Sequence, residues 1–167
     1  CYVVSEQMME RLSQYIEIKS VINRPVRILV DINKADTAQL RRVSGIGAVL
    51  AARIVDYRER LGGYASVNQL AEIPGMTEAN FERIVPQILA DSCEIQKIDV
   101  NFASHKTLAD QLGNHPYMKR GVLRKLLSTR QMKGGWSTIR DMVNENIITE
   151  REAEKLAPYL VFRPTEE

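Results

Sequence analysis

The sequence has little that would support catalysis, metal binding or disulfide bonding. Its 167 residues include only two cysteines, Cys1 and Cys93, and two histidines, His105 and His115. No Cys-x-x-Cys pair and no histidine at ligand spacing is present, so neither a zinc site nor a disulfide framework is indicated. Walker, Rossmann and His-Glu-x-x-His patterns are absent, and neither histidine has a nucleophile or carboxylate partner at a recognisable spacing. We therefore expect no catalytic residue, no metal, no cofactor and no small-molecule substrate.

Aromatic residues and long apolar runs are also scarce. Aromatic residues make up 6% of the chain, and no stretch approaches the 18 apolar residues of a membrane-spanning helix. The hydrophobic fraction of 44% and the charged fraction of 26% are typical of a soluble globular protein, whose core would consist of Leu, Ile, Val, Met and Ala. The formal net charge of +2 is too small to indicate a nucleic-acid partner by itself.

An internal repeat is the main feature of the sequence. Val4-Ser5-Glu6 recurs as Met76-Thr77-Glu78 and again as Ile148-Thr149-Glu150, with the same spacing both times, which we call the long offset. Nearer the start of each copy the spacing is slightly shorter, because residues 31–35 match residues 99–103. The repeat of about 70 residues predicts two units, which we call unit one (residues 27–95) and unit two (residues 96–163). Residues 1–26 are predicted to contain the last helix of a truncated upstream unit, within residues 1–18, and a linker.

Each unit has the pattern of short helices in series. Three pairs of residues have the spacing of a capping box: Asp36 with Gln39, Ser66 with Gln69, and Thr149 with Glu152. Between residues 48 and 61, apolar side chains recur every three or four residues at Leu50, Ala51, Ile54 and Tyr57, which predicts a helix with one buried face. Glycine pairs follow this helix in both units and would end it. The predicted fold class is all-α.

The sharpest local signal is Val43-Ser44-Gly45-Ile46-Gly47-Ala48, in which one helix ends and a longer one begins at once. The glycines allow a tight turn and a close approach of the backbone to another molecule, and Ile46 can anchor the turn in the core. The unpaired amides at the start of the new helix, with the positive end of its dipole, would then form a phosphate site. A second hairpin is predicted at Ile73-Pro74-Gly75-Met76-Thr77-Glu78.

Residues 43–54 resemble the helix-hairpin-helix motif, and each unit is similar to the helix-hairpin-helix domain of ComEA-type competence DNA receptors. The resemblance covers most of unit one and is weaker in unit two. It implies a tandem array of small SAM-like helical bundles that bind DNA without sequence specificity, in DNA uptake at a bacterial envelope or periplasm. The DNA-binding residues it implies in unit one are Arg41, Arg42, Ser44, Gly45, Ile46, Gly47, Ala48, Gly75 and Thr77.

Unit two departs from this pattern. Where unit one has Ser44 to Gly47, unit two has Pro116-Tyr117-Met118-Lys119, without glycine. Residues 111–140, however, contain no Asp or Glu. The basic side chains there include Lys119, Arg120, Arg124 and Lys125, which we predict as further DNA-binding residues. The alternative is a protein interaction scaffold, in which the repeats pack on protein partners, unit two above all, and the hairpins serve only as turns.

Overall fold

The computed structural model describes residues 29–164, which fold into short helices joined by tight turns. The helices are α1 (Thr37–Leu40), α2 (Ala48–Leu61), α3 (Glu78–Ile84), α4 (His105–Leu112), α5 (Arg120–Lys133), α6 (Ile139–Asn144) and α7 (Glu150–Leu156), with 3₁₀ helices at Val67–Glu72, Val85–Gln87 and Ser92–Glu94. The strands are β1 (Val30–Asp31), β2 (Ile88–Leu89), β3 (Ile98–Asp99) and β4 (Leu160–Val161). Since each strand has two residues, the all-α prediction is confirmed. The predicted helix within residues 1–18 lies outside the described residues.

Local sequence signals set the starts of the helices. The predicted capping boxes at Asp36, Ser66 and Thr149 are all formed, with the first side chain accepting a backbone N–H and the fourth side chain accepting the N–H of the cap residue. Ser66 begins a 3₁₀ helix rather than an α-helix. Each box satisfies amides that have no partner within the helix, which explains why these short helices begin where they do.

The two 14-residue helices α2 and α5 form the centres of the two units. Helix α2 buries the predicted face of Leu50, Ala51, Ile54 and Tyr57, and it ends at Gly62, which is left-handed with φ of 76°. Helix α5 ends in the same way at Gly134, with φ of 88°, but buries its face less completely. Leu126 is fully buried there, whereas Val122, Leu123 and Thr129 are half-buried.

A pair of parallel strands closes each unit, at corresponding positions of the repeat. Val30 pairs with Ile88 in unit one and Ile98 with Leu160 in unit two. Beside each pair an asparagine side chain ties the unit together, because Asn33 donates to the Tyr64 carbonyl at 2.9 Å and Asn101 donates to the Trp136 carbonyl at 2.7 Å. These shared contacts fit the predicted repeat. The exact unit boundaries stay a prediction.

The apolar side chains form two clusters that correspond to the two units. The first contains buried residues between Ile32 and Ile88 together with Tyr159, and the second contains buried residues between Ile98 and Leu160. Tyr159 therefore belongs to unit two in sequence and to the core of unit one in space. No helix within residues 29–164 is both long enough and apolar enough to cross a membrane.

Aromatic and polar side chains join the two units. The amide of Gln69 donates to the hydroxyls of Tyr117 at 2.9 Å and Tyr159 at 2.8 Å. Glu72 of unit one accepts from Lys155 of unit two at 2.7 Å. His115 is 3% exposed and packs edge-on against Tyr117 and Tyr159. The first hairpin of unit two is thus docked on unit one.

The buried position of His115 predicts a dependence of stability on pH. Burial lowers the pKa of His115 to about 4, and the charge of Arg60 lowers it further. In the unfolded chain the pKa is about 6.5, so the unfolded state binds the proton first as the pH falls. We expect the free energy of unfolding to decrease by roughly 2 kcal/mol between pH 7.5 and pH 5 because of this group.

Urea unfolding at the two pH values measures this decrease, and His115→Gln is the matched variant without the titrating group. The variant should lose most of the pH dependence in this interval. An equal decrease in the variant and the parent chain would contradict the assignment to His115.

Candidate functional site

The first hairpin turns through Gly45, whose φ of 99° lies in the left-handed region. The turn is closed by the N–H of Ile46, which donates to the Val43 carbonyl at 3.1 Å. Ile46 itself is 5% exposed and anchors the turn in the core, as predicted. A Cβ at residue 45 would lie 3.2 Å from Cγ1 of Ile84 and 3.3 Å from Cδ of Arg83. Glycine is therefore required at this position by the fold itself.

Gly47 differs from Gly45, because nothing in the fold requires a glycine there. It caps helix α2 with φ of −85° and ψ of 175°, which any residue can adopt, and a Cβ built on it meets no atom within 4 Å. A side chain at residue 47 would project into open space over the start of the helix. Because Gly47 has no side chain, the backbone at the start of α2 is accessible.

The first turn of α2 is open and carries no negative charge. Gly47 makes no side-chain cap, and the first turn contains no acidic residue. The amides of Ala48, Val49 and Leu50 have no partner within the helix, since the first intrahelical acceptor, the Gly47 carbonyl, bonds the N–H of Ala51. Ala48 is exposed, and Val49 is 66% exposed. With the helix dipole behind them, these amides can bind an anion.

The second hairpin has the same backbone but a less open helix start. Gly75 is left-handed with φ of 88°, and the N–H of Met76 donates to the Ile73 carbonyl at 3.0 Å. The hydroxyl of Thr77 caps the seven-residue helix α3 by accepting from Asn80, and the first turn contains the acidic Glu78. The predicted site residues Gly75 and Thr77 are exposed, but they lie beside a carboxylate in the chain.

A shorter internal repeat relates the two hairpins of unit one, because residues 35–54 match residues 65–84. The identical pairs are Ala35/Ala65, Gln39/Gln69, Leu40/Leu70, Gly45/Gly75, Arg53/Arg83 and Ile54/Ile84. Both copies begin with a capping box, contain a left-handed glycine and continue into a helix. The longer repeat does not reveal this relationship, although the identities are visible in the sequence.

Arg53 and Arg83 each lie against the hairpin of the opposite copy. Nη1 of Arg53 donates to the carbonyl of Pro74 at 2.6 Å. A Cβ at Gly75 would overlap with Nη1 of Arg53. The aliphatic part of Arg83 lies against Gly45. Contacts that are exchanged in this way indicate a pseudo-twofold axis between the hairpins. Both arginines are exposed, and neither was among the predicted site residues.

The two cations that were predicted as site residues in unit one, Arg41 and Arg42, are exposed at the end of α1, just before the first hairpin. Arg42 and Arg83 line an open groove of about 900 Å³ beside this hairpin, together with Gln87, which hydrogen-bonds the backbone of Ser44. Lys34 also lines the groove, but its hydrogen bonds to Glu94 and Asp91 raise its pKa to about 12. Its charge is therefore matched by carboxylates of the protein.

In unit two, the residues at the place of Ser44 to Gly47 contact protein. Tyr117, at the position of Gly45, accepts a hydrogen bond from Gln69 of unit one, and Lys119, at the position of Gly47, pairs with Glu152 at 2.6 Å. The hydrogen bond from Lys119, with further ones from Thr149, lowers the pKa of Glu152 to about 2. The structure thus gives this hairpin partners inside the chain.

Most cations of the basic stretch in unit two also have partners within the protein. Lys125 donates to the Asn146 carbonyl and Arg130 to the carbonyls of Val100 and Ala103, while Lys133 pairs with Glu145 and Arg140 with Glu150. Arg124 is exposed, and the side chain of Arg120 lies outside what the structure describes. Within residues 29–164, no three His, Cys, Asp or Glu side chains lie together as a metal site would require.

Comparisons with known proteins agree with this geometry. A family model described as the helix-hairpin-helix motif matches residues 27–89. The chain is 35% identical over 60 residues to the ComE operon protein 1 of Bacillus subtilis (strain 168), a match that covers 36% of this chain and 29% of that protein. It is 39% identical over 67 residues to the endonuclease/exonuclease/phosphatase family domain-containing protein 1 of Rattus norvegicus, covering 40% of this chain and 12% of the rat protein.

The Xenopus laevis protein of the same name matches over 145 residues at 24% identity, covering 76% of this chain and 26% of that protein. This length exceeds unit one, so the similarity extends into unit two. The matched part of the chain spans less than a third of each of these relatives. No solved structure matches significantly.

Proposed function

We propose, on the premise that residues 27–89 match the helix-hairpin-helix motif, that the protein binds duplex DNA through the phosphate backbone, without sequence specificity. The role is binding rather than catalysis. The observation that carries the proposal is the open, uncharged first turn of α2 at Gly47, whose amides and dipole suit a phosphate. Arg41, Arg42, Ser44 and Ala48 surround this turn in the sequence, and Gly75 and Thr77 form the second hairpin.

The pseudo-twofold relation between the hairpins favours a duplex over a single strand. The two backbones of a duplex run in opposite directions, so they present phosphates that are themselves related by local twofold axes. Two hairpins that exchange contacts, Arg53 with Pro74 and Arg83 with Gly45, can meet one backbone each. Contacts of this kind go to phosphates and carry no information about the bases. Similar affinity for unrelated sequences follows.

The similarity to the ComE operon protein 1 supports a finer proposal, a role in DNA uptake at a bacterial envelope. Loss of the chain should then reduce the uptake of DNA by its host, and restoration of the chain carrying a defective first hairpin should not recover it.

For unit two, contacts within the chain support a structural role of its first hairpin in place of DNA binding. Its first hairpin carries Tyr117 in place of Gly45, and it contacts Gln69 of unit one instead of solvent. The cation at its helix start, Lys119, already pairs with Glu152. We therefore propose that unit two stabilises the array, and that the cations of α5 have a secondary part in DNA binding.

The central test uses two variants of one residue, Gly47→Asp and Gly47→Asn. Both side chains are good helix caps and have room at this position, so both variants should remain folded. Asp would place a negative charge beside the phosphate, which costs about 1 to 4 kcal/mol at roughly 4 Å, depending on the effective dielectric constant. We expect Gly47→Asp to weaken binding to a duplex of arbitrary sequence by at least about fivefold relative to Gly47→Asn.

Fluorescence anisotropy with two unrelated duplexes measures these affinities, and circular dichroism checks the fold. The difference between the two variants should shrink as salt is added, because salt screens the added charge. If Asp and Asn give the same affinity at low salt, the hairpin is only a turn.

A second variant tests the contribution of unit two. Replacement of Arg120, Arg124 and Lys125 with Gln should flatten the slope of log affinity against log salt by no more than about 0.9, the value for one phosphate contact. The reason is that the hairpin before α5 is docked on unit one and its Lys119 pairs with Glu152, so we expect α5 to present at most one phosphate contact. A decrease of two or more in the slope would instead place a major part of the DNA surface on α5.

A further inference from the structure

Arg53 and Arg83 have a position that the proposed binding by hairpin amides does not explain. We propose that each of them binds a DNA phosphate at the hairpin opposite to its own helix, so that α2 supplies the cation of the second hairpin and α3 that of the first. This inference rests on the proposed function and adds two phosphate ligands to it. It makes the two hairpins one coupled site instead of two independent turns.

Arg53 is oriented for this role by its own hydrogen bond. One nitrogen, Nη1, donates to the Pro74 carbonyl at 2.6 Å, which holds the guanidinium over the turn of the second hairpin. A guanidinium has five N–H donors, so the others remain for an oxygen ligand, and their fork matches the geometry of a phosphate. The side chain is exposed. Gly75 leaves the space that the guanidinium occupies.

The second hairpin needs such a cation more than the first. Helix α3 has only seven residues, its amide at Asn80 is bonded by Thr77, and Glu78 adds a negative charge to its first turn. These features oppose the binding of an anion by the helix start alone. Arg53, whose guanidinium lies against Pro74 and Gly75, supplies a positive charge at this turn.

Arg83 has the corresponding place at the first hairpin. Its stem lies 3.3 Å from the position of a Cβ on Gly45, and its side chain is exposed. The first turn of α2 consists of Ala48, Val49 and Leu50, without a basic side chain. The cations at this hairpin therefore come from other elements, Arg41 and Arg42 from the end of α1 and Arg83 from α3.

In unit two, the cations at the positions of Arg83 and Arg53 have acceptors within the protein. At the long offset, Arg83 corresponds to Lys155, whose ammonium donates to the carboxylate of Glu72 at 2.7 Å and lies 4.9 Å from the centre of the Tyr117 ring. Arg53 corresponds to Lys125, which donates to the Asn146 carbonyl as Arg53 does to that of Pro74. The cation position beside the first hairpin thus meets an anion of the protein in unit two, and in unit one it faces solvent.

The experiment compares Arg53→Gln and Arg83→Gln with Arg60→Gln as the matched control. Arg60 is also an exposed arginine of α2, but it lies seven residues beyond Arg53, roughly 10 Å further from the hairpins. Anisotropy titrations with one duplex at several salt concentrations give the slope of log affinity against log salt. We expect each variant to flatten the slope by about 0.9 and the double variant by about 1.8, with no change for Arg60→Gln.

Arg53→Lys separates the role in binding from a role in folding, because Lys125 shows that a lysine reaches the corresponding carbonyl. It should retain the parental slope. Parental slopes in both Gln variants would overturn the inference, and the proposed function would stand if Gly47→Asp still weakened binding. If Gly47→Asp also leaves binding unchanged, both proposals fail. An equal loss of slope in Arg60→Gln would show a general effect of charge and would also overturn the inference.

Discussion

The arrangement of unit one depends on a backbone constraint: one helix must end and the next must begin within a few residues. A left-handed residue makes this turn possible, and Gly45 and Gly75 provide it with φ of 99° and 88°. Because both turns are tight, α2 and α3 lie close enough for Arg53 and Arg83 to reach the opposite hairpin. The exchanged arginines and the pseudo-twofold relation follow from these two glycines, and the exposed amides of α2 depend in addition on Gly47, which places no side chain over them.

The same hairpin has two uses in this chain, and the difference lies in a few side chains. In unit one the turn contains glycine and faces solvent, and the side-chain amide of Gln87 hydrogen-bonds both the N–H and the carbonyl of Ser44. In unit two the corresponding turn contains Tyr117, and Tyr159 stands at the position of Gln87, so aromatic rings and hydroxyls fill the contact with Gln69. A surface that suits an anion has been replaced by one that suits protein. The fold of the two turns need not differ for this change of role.

Features that depend on neighbours in sequence could be predicted, and those that depend on distant contacts could not. The capping boxes and the buried face of α2 are local patterns, and the structure confirms them. The basic stretch of unit two was harder to interpret, because the acidic partners of its cations lie beyond the stretch itself. Lys119 pairs with Glu152, Lys133 with Glu145 and Arg140 with Glu150. Arg53 was missed for the same reason, since its acceptor, the Pro74 carbonyl, is distant in the chain. The shorter repeat would have indicated both arginines, because it pairs them with each other and pairs the two glycines.

The proposed function depends above all on the start of α2, which would bind the phosphate backbone of duplex DNA. The most direct measurement is a titration of the isotope-labelled chain with duplexes of two unrelated sequences, followed through the backbone amide signals. We expect the amides of Gly47, Ala48 and Val49 to shift most, in the same pattern for both duplexes, and the shifts to disappear at high salt. Shifts confined to unit two, or a pattern that depends on the sequence of the duplex, would contradict it.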